Sequence, residues 1–361
     1  MEPLKRRFVL LAMILTMPIA SEATIKVVTT QETYASIASE LGGERVVAEA
    51  IVPGNADAHF VKPKPSYAFM LRDADLFVST GLDLELWAPV LVNKSGNRNI
   101  ADGAVGYVAA AHGTDLLEKP ASADRSAGDV HIYGNPHIQT SPINMTIVAG
   151  NITTGLCKVD PEGCEFYRAN LMDFKNRLAR RLYGDDLVEL FGVETLALLA
   201  QNGRLVPFLE EQGIADQIGG WLAEAMPFRG RKLVCYHKNW VYFTTLFGLD
   251  VVGYVETKPG IPPTARHVAG LIQRIYDEDV EVLLAANYFE KRKPELIAER
   301  TGIVPVVVPM SVGGEAGVDS YFDLVDLWVK RLRDAFGVSG GTDEHLHHGE
   351  ESHHDVHDHN E

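Results

Sequence analysis

The amino-acid sequence predicts an α/β protein of two lobes, each built on a largely parallel sheet flanked by helices. Two observations carry that prediction. Short apolar, β-branched runs alternate with helix-period patterns over residues 25–109 and again over residues 232–336; strands alternating with helices in this way pair in parallel through βαβ crossovers. The residues between the two stretches read as helix alone. A length of 361 residues with an ordinary apolar fraction, 46%, leaves room for more than one core.

Taken in order, residues 25–30 are a strand, 34–41 a helix and 46–52 a strand. The loop GNADAHFVKPKP follows and holds His59. Ligands of parallel sheets bind beyond the carboxyl ends of strands, where His59 falls. A helix over 65–73, a strand over 75–80, a helix over 84–92 and a strand over 104–109 complete the first lobe. A polar, Gly- and Ala-containing segment, 112–128, leads to GNPHIQTSP, which places His137 ahead of a helix over 144–158. A second helix, 165–183, sets Phe166, Leu171, Phe174, Leu178 and Leu182 at helical spacing. Gly184 interrupts it, and residues 185–226 add apolar helix-forming material, including LVELFGVETLALLAQ and WLAEAM. The second lobe opens with a strand over 232–236 that ends on His237. Helix 240–247, strand 251–255 and helix 264–277 follow, the last entered through the prolines of KPGIPP. Strand 280–285, helix 295–300, strand 304–308 and helix 321–336 close the lobe.

The ends of the chain carry information of their own. Basic MEPLKRR, an apolar run over 8–20 and Ser21-Glu22-Ala23 read as an export signal cleaved after Ala23. The run is too short for a permanent membrane span. No cysteine stands at that junction, so a free periplasmic protein is expected rather than a lipid-anchored one. In that oxidising compartment Cys157 and Cys164, which flank the turn-like KVDPEG, are expected to form a disulfide. Cys235 is read as a small buried hydrophobe. After Gly340 the composition shifts to GTDEHLHHGEESHHDVHDHNE, with seven of the 13 histidines interleaved with acids. Such a tail lacks the apolar residues to fold and is suited to weak, multiple zinc contacts. A formal charge of −16 opposes general attraction to nucleic acid or anionic lipid.

Three imidazoles thus stand at strand or loop ends: His59, His137 and His237. Brought together, neutral imidazoles suit Zn²⁺, while the harder Mn²⁺ is better served by carboxylates. These loops lie beside ADLFVSTGLDLELW, NPH and YHKNWVYFTTLFGLDVVGY. On these motifs nearly the whole mature chain resembles the metal-binding solute receptors of bacterial ABC importers, the zinc and manganese family. The resemblance implies two lobes joined by a long helix, a metal site in the inter-lobe cleft, and His59, His137 and His237 as ligands. It implies Zn²⁺ as the transported ligand and an inner-membrane permease as partner, with no nucleic-acid partner and a monomeric state.

Together these readings divide the chain into a signal peptide (1–23), an N-terminal lobe (24–160), a linking helix with inserted helices (161–229) by which the chain departs from the family pattern, a C-terminal lobe (230–340) and a disordered tail (341–361). The resemblance implies a binding protein and not an enzyme, and the sequence holds no HExxH, nucleophile elbow or Gly-rich phosphate loop. A manganese or iron receptor, a metal-dependent adhesin and a zinc hydrolase are the alternative readings. The family's usual aspartate after the last strand of the second lobe is replaced here by Pro309 in IVPVVVPMSVGG. Glu315, Asp319, Glu256, His131 and water are the candidates for a fourth ligand. His131 is also read as orienting another ligand by hydrogen bonding. His112 and His267 are expected to be ordinary surface or helix residues.

Overall fold

The computed structural model describes residues 24–120, 131–256 and 260–338; the export signal and the histidine-rich tail lie outside them. The first lobe runs β1 (Ile25–Gln31), α1 (Glu32–Gly42), β2 (Val46–Val52), α2 (Pro65–Arg72), β3 (Leu76–Ser79), α3 (Ala88–Ser95) and β4 (Tyr107–Ala109). Its four strands are all parallel, in the order β2-β1-β3-β4. β1 and β3 are buried along successive residues rather than alternate ones, as a sheet covered on both faces requires.

The second sheet is built from β5 (Lys232–Cys235), β6 (Asp250–Tyr254), β7 (Val282–Ala286) and β8 (Val304–Val308), again all parallel, in the order β6-β5-β7-β8. The two sheets therefore share one permutation. Each places its order reversal beside the first strand, where doubly wound sheets open a crevice. The helices of this lobe are α10 (Val241–Phe247), α11 (Ala265–Asp277), α12 (Arg292–Thr301) and α13 (Tyr321–Ala335). Between the sheets come α4 (Pro142–Val159), α5 (Cys164–Tyr183), α6 (Asp185–Phe191), α7 (Val193–Gln201), α8 (Leu205–Gln212) and α9 (Gly220–Ala225). They are numbered in chain order, so α10 to α13 follow them.

Local chemistry explains several of these boundaries. Ser141 caps α4 by accepting from the Asn144 N–H, and Thr264 caps α11 by accepting from the His267 N–H. Ser320 and Asp323 cap α13 reciprocally as a capping box. Cys157 and Cys164 are disulfide-bonded across the α4–α5 turn, and Cys235 is free and buried.

One element differs from the sequence reading. The helix expected from residue 84 begins at Ala88, because Gly81, Leu82 and Asp83 take φ of 80°, 59° and 61° and hold the chain in a left-handed turn. That turn aims Glu85 inward, where its Oε1 accepts from Thr30 Oγ1 and Thr80 Oγ1 at 2.7 Å each and from the Thr80 N–H. It also aims Trp87 at the His59 loop, where the indole Nε1 donates to the Ala58 carbonyl at 2.8 Å.

One core runs through both lobes. It joins Val27 and Leu76 of the first sheet to Met145, Ile152, Phe174 and Leu178 of α4 and α5, and these to Trp240, Trp328 and Leu284 of the second lobe. The helices over residues 185–225 add Leu187, Leu196, Leu209 and Trp221 to that same interior. The lobes also touch directly at the mouths of their sheets. Thr33 Oγ1 and Ser311 Oγ lie 2.9 Å apart, the Thr33 N–H donates to Ser311 Oγ, and the Val312 N–H donates to Thr33 Oγ1. Beside them the backbone at Gly54 packs on that at Gly314 so closely that a Cβ on Gly314 would stand 2.6 Å from the Gly54 carbonyl oxygen. Glycine at both positions is what permits this approach.

Candidate metal centre

His59, His137 and His237 are brought together between the lobes. Ring centroids lie 5.1 Å apart for His59 and His137, 6.0 Å for His137 and His237, and 6.3 Å for His59 and His237. A fourth imidazole joins them: His131 lies with its centroid 5.3 Å from His59 and 5.9 Å from His137. His131 Nε2 is 3.2 Å from His59 Nε2. The sequence reading held His131 both as a candidate fourth ligand and as an orienting residue; in the structure it touches the ring of His59 directly.

Two of the rings are aimed by the same local device. Asp57 Oδ1 accepts from both the backbone N–H of His59, at 2.9 Å, and its Nδ1, at 2.7 Å. Asn135 Oδ1 does the same for His137, at 3.0 Å and 2.9 Å. The Asn135 amide cannot be turned round, because its Nδ2 donates to Glu118 Oε2 and to the Lys238 carbonyl. Each acceptor holds the ring proton on Nδ1 and leaves Nε2 as the acceptor nitrogen of the ring, which for His59 meets His131 Nε2. Asp57 and Asn135 were missed in the sequence, although Asp-Ala-His and Asn-Pro-His share one spacing. The third ring, His237, follows β5 by two residues, and Glu256, following β6 by two, places its Oε2 4.0 Å from His237 Nδ1.

The electrostatics favour neutral rings. Burial, reinforced by the neighbouring His59, His237 and His131, holds His137 well below the ordinary histidine value. Burial and His59 bring His237 down to about 3. Burial alone would raise Asp57, but the hydrogen bonds from His59 outweigh it and hold the carboxylate below its ordinary range. Among the described residues, His137 Nε2 and His237 Nδ1 are buried nitrogens with no hydrogen-bond partner. A buried, unmatched lone pair costs about 1–3 kcal/mol unless something fills it.

Among the described residues no group of three or more His, Cys, Asp or Glu side chains is placed so that it could hold a metal ion as it stands. The rings are gathered and aimed, and closing on an ion would take side-chain rotation. A cleft of about 300 Å³ borders the cluster, lined by Asp57, Glu256, Glu290, Tyr236, Phe289 and Lys293 among others. Its carboxylates outnumber its lysine, which favours the approach of a cation.

The other candidates are placed elsewhere or otherwise engaged. Glu315 is paired with Arg331, whose Nη1 donates to Oε2 at 2.9 Å. Asp319 is exposed, its backbone N–H bonded to Asp323 Oδ2 ahead of α13. Pro309 gives its carbonyl to Trp328 Nε1 at 2.7 Å. His112 is exposed, and His267 donates from Nε2 to the Tyr254 carbonyl, so both are the ordinary residues expected.

Comparison with known proteins agrees with this architecture. The "Putative metal-binding protein" of Treponema pallidum is 29% identical over 160 residues, 43% of this chain and 49% of that one, so the chain spans about half the length of that relative. The "Manganese ABC transporter substrate-binding lipoprotein PsaA" of Streptococcus pneumoniae is 28% identical over 315 residues, 85% of this chain and 87% of that one. The crystal structure of ZnuA superposes with a TM-score of 0.64 at 20% identity, over 86% of this chain and 99% of that one, and so shares the fold. The model of the family "Zinc-uptake complex component A periplasmic" matches residues 27–181 and 214–335, which take in both sheets and all four clustered histidines. On that match, which covers well over half of its length, the chain belongs to the periplasmic zinc-uptake component A family.

Proposed function

We propose that this protein is a periplasmic solute-binding protein that captures Zn²⁺ through His59, His137 and His237 and delivers it to the permease of an ABC importer. It is proposed to act as a binding protein, not an enzyme. The observation that carries the reading is the His137 ring: neutral, buried, its proton tied to Asn135, and its Nε2 without a partner among the described residues beside three other imidazoles. Nitrogen donors of this kind suit zinc. The lobes are joined through the linking helix α5, and the ion would sit where loops from both lobes meet. Capture and release then depend on small side-chain and loop movements.

A manganese receptor of the same architecture is the second reading, favoured by the printed names of the relatives from Streptococcus pneumoniae and Halalkalibacterium halodurans, both manganese-binding lipoproteins. Competitive titration of the metal-free protein with Zn²⁺ and Mn²⁺ against a chromophoric chelator separates the two. The zinc reading expects one tightly held Zn²⁺ per chain, displaced by Mn²⁺ only at large excess. Manganese bound as tightly as zinc would favour the second reading.

A further inference from the structure

We propose that His131 is the fourth ligand, so that the ion is held by imidazoles alone, and that this all-nitrogen shell is what turns the site against manganese. The proposal rests on the zinc-capture reading above and deepens it. Its first support is a distance. With nitrogen–metal bonds of about 2.0–2.1 Å, ligand atoms at the corners of a tetrahedron stand about 3.3–3.4 Å apart. The Nε2 atoms of His59 and His131 share a hydrogen bond at 3.2 Å, a separation close to such an edge. The ring of His131 also keeps the same spacing to its neighbours, 5.3 Å and 5.9 Å, as the three expected ligands keep among themselves.

A second support lies in the sequence. Of the histidines before residue 341, only His59, His131 and His137 have an Asp or Asn two residues before them. For His59 and His137 that residue is the one that fixes the ring proton on Nδ1. Asp129 stands at the same offset from His131 and lies outside the described residues. A third support is the engagement of the acids. Asp57 is committed to His59, Glu315 is paired with Arg331, and Asp319 is exposed. Among the described residues Glu256 lies beside the rings, its Oε2 4.0 Å from His237 Nδ1, and its carboxylate takes a backbone hydrogen bond from Gly260.

The chemical consequence is selectivity. Borderline imidazole donors bind Zn²⁺ well, whereas Mn²⁺ lies lowest in the divalent series and prefers oxygen. A receptor with an aspartate in the fourth place serves manganese better than one with a fourth histidine.

The test compares wild type with His131→Ala, His131→Asp, Glu256→Gln and His59→Ala, each titrated with Zn²⁺ and Mn²⁺ and each loaded with Co²⁺ for visible spectroscopy. The proposal expects His131→Ala to weaken zinc by more than the roughly 10–100-fold that loss of a supporting residue costs, and to change the Co²⁺ bands. It expects His131→Asp to keep one ion per chain while narrowing the preference for zinc over manganese by at least about tenfold. Glu256→Gln should leave the Co²⁺ bands in place. Unchanged affinity and bands in His131→Ala, with both altered in Glu256→Gln, would overturn the proposal and make the glutamate the ligand. Zinc binding that survives His59→Ala undiminished would instead sink the capture reading itself, and the fourth ligand with it.

Discussion

The two lobes share a strand order, yet they spend their loops differently. After β2, the edge strand of the first sheet, the chain presents His59; after β6, the matching edge of the second, it presents Glu256. At the end of β1 stand Gln31 and, two residues on, Thr33, which bond within the first lobe and across to Ser311; after β5 comes His237. Three of the four clustered imidazoles lie ahead of the linking helix α5, and one comes from the second lobe. The loop after β8, residues 309–314, serves the lobe contact through Ser311 and Gly314. Equivalent positions of one fold therefore do different work, and what decides it is the side chain at the strand's end, not the topology.

That asymmetry sets the sharpest test between the lobes. His137→Ala removes a buried ring, and it should lower zinc affinity more than any change in the acids beside it, beyond the roughly 10–100-fold cost of losing a supporting residue. His237→Ala should do comparable damage, since the second lobe supplies one ring among the four. Isothermal titration of both variants checks this; zinc affinity insensitive to His237 would leave the first lobe holding the ion alone.

Next in size are the two aiming residues. Asp57→Ala and Asn135→Ala each free a ring to turn, and each should cost roughly 10–100-fold in zinc affinity with the fold intact. Affinity measured beside circular dichroism separates aiming from folding. An equal loss in both would show that the carboxylate at Asp57 acts by position; a larger loss at Asp57 would show that its charge adds to it.

Gly54→Ala probes the seam rather than the site. A Cβ there would stand 2.5 Å from the Gly314 nitrogen and closer still to the Val312 carbonyl oxygen, and backbone atoms cannot swing aside. Overpacking of this kind costs roughly 1–3 kcal/mol, read as a lower denaturation midpoint of the metal-free protein. Because Gly54 begins the His59 loop, zinc affinity should fall with it. Unchanged stability would mean that the lobes meet less tightly than the structure shows.

The smallest expected effect is a pH dependence confined to the first lobe. Burial pushes Glu85 above its ordinary value of 4.5, against the hydrogen bonds from Thr30 and Thr80. A proton held more tightly in the folded state stabilises the fold below that ordinary value, and the stabilisation is lost as pH rises through the raised one. Denaturation midpoints of wild type should fall over that range, and Glu85→Gln should flatten the curve. A slope unchanged in Glu85→Gln would assign the dependence to other groups.

How much of this was legible in the sequence varies by kind of interaction. Periodicity marked the eight strands of the described residues and the long helices; it was plainest in β1, β3 and β7, where burial along successive residues leaves continuous apolar or β-branched runs. The helix placed too early, at residue 84, failed because Leu82 and Asp83 take left-handed dihedrals, which Asp adopts more readily than most residues but Leu rarely does. The three ring-bearing loops were legible as strand ends. Glu315 and Asp319 were candidates by proximity in sequence to β8, and Arg331, far along the chain, is what removes the first of them. The aiming residues were legible in principle, since Asp57 and Asn135 stand at one offset from their histidines, and only the hydrogen bonds show what that offset does.

The measurement that bears most directly on the inter-lobe site is equilibrium dialysis of zinc against wild type and a variant with His59, His137 and His237 all replaced by alanine, with the residues after 340 removed from both. One Zn²⁺ per chain in the first and none in the second is the predicted result. Equal zinc in the two would place the ion somewhere other than the meeting point of the lobes.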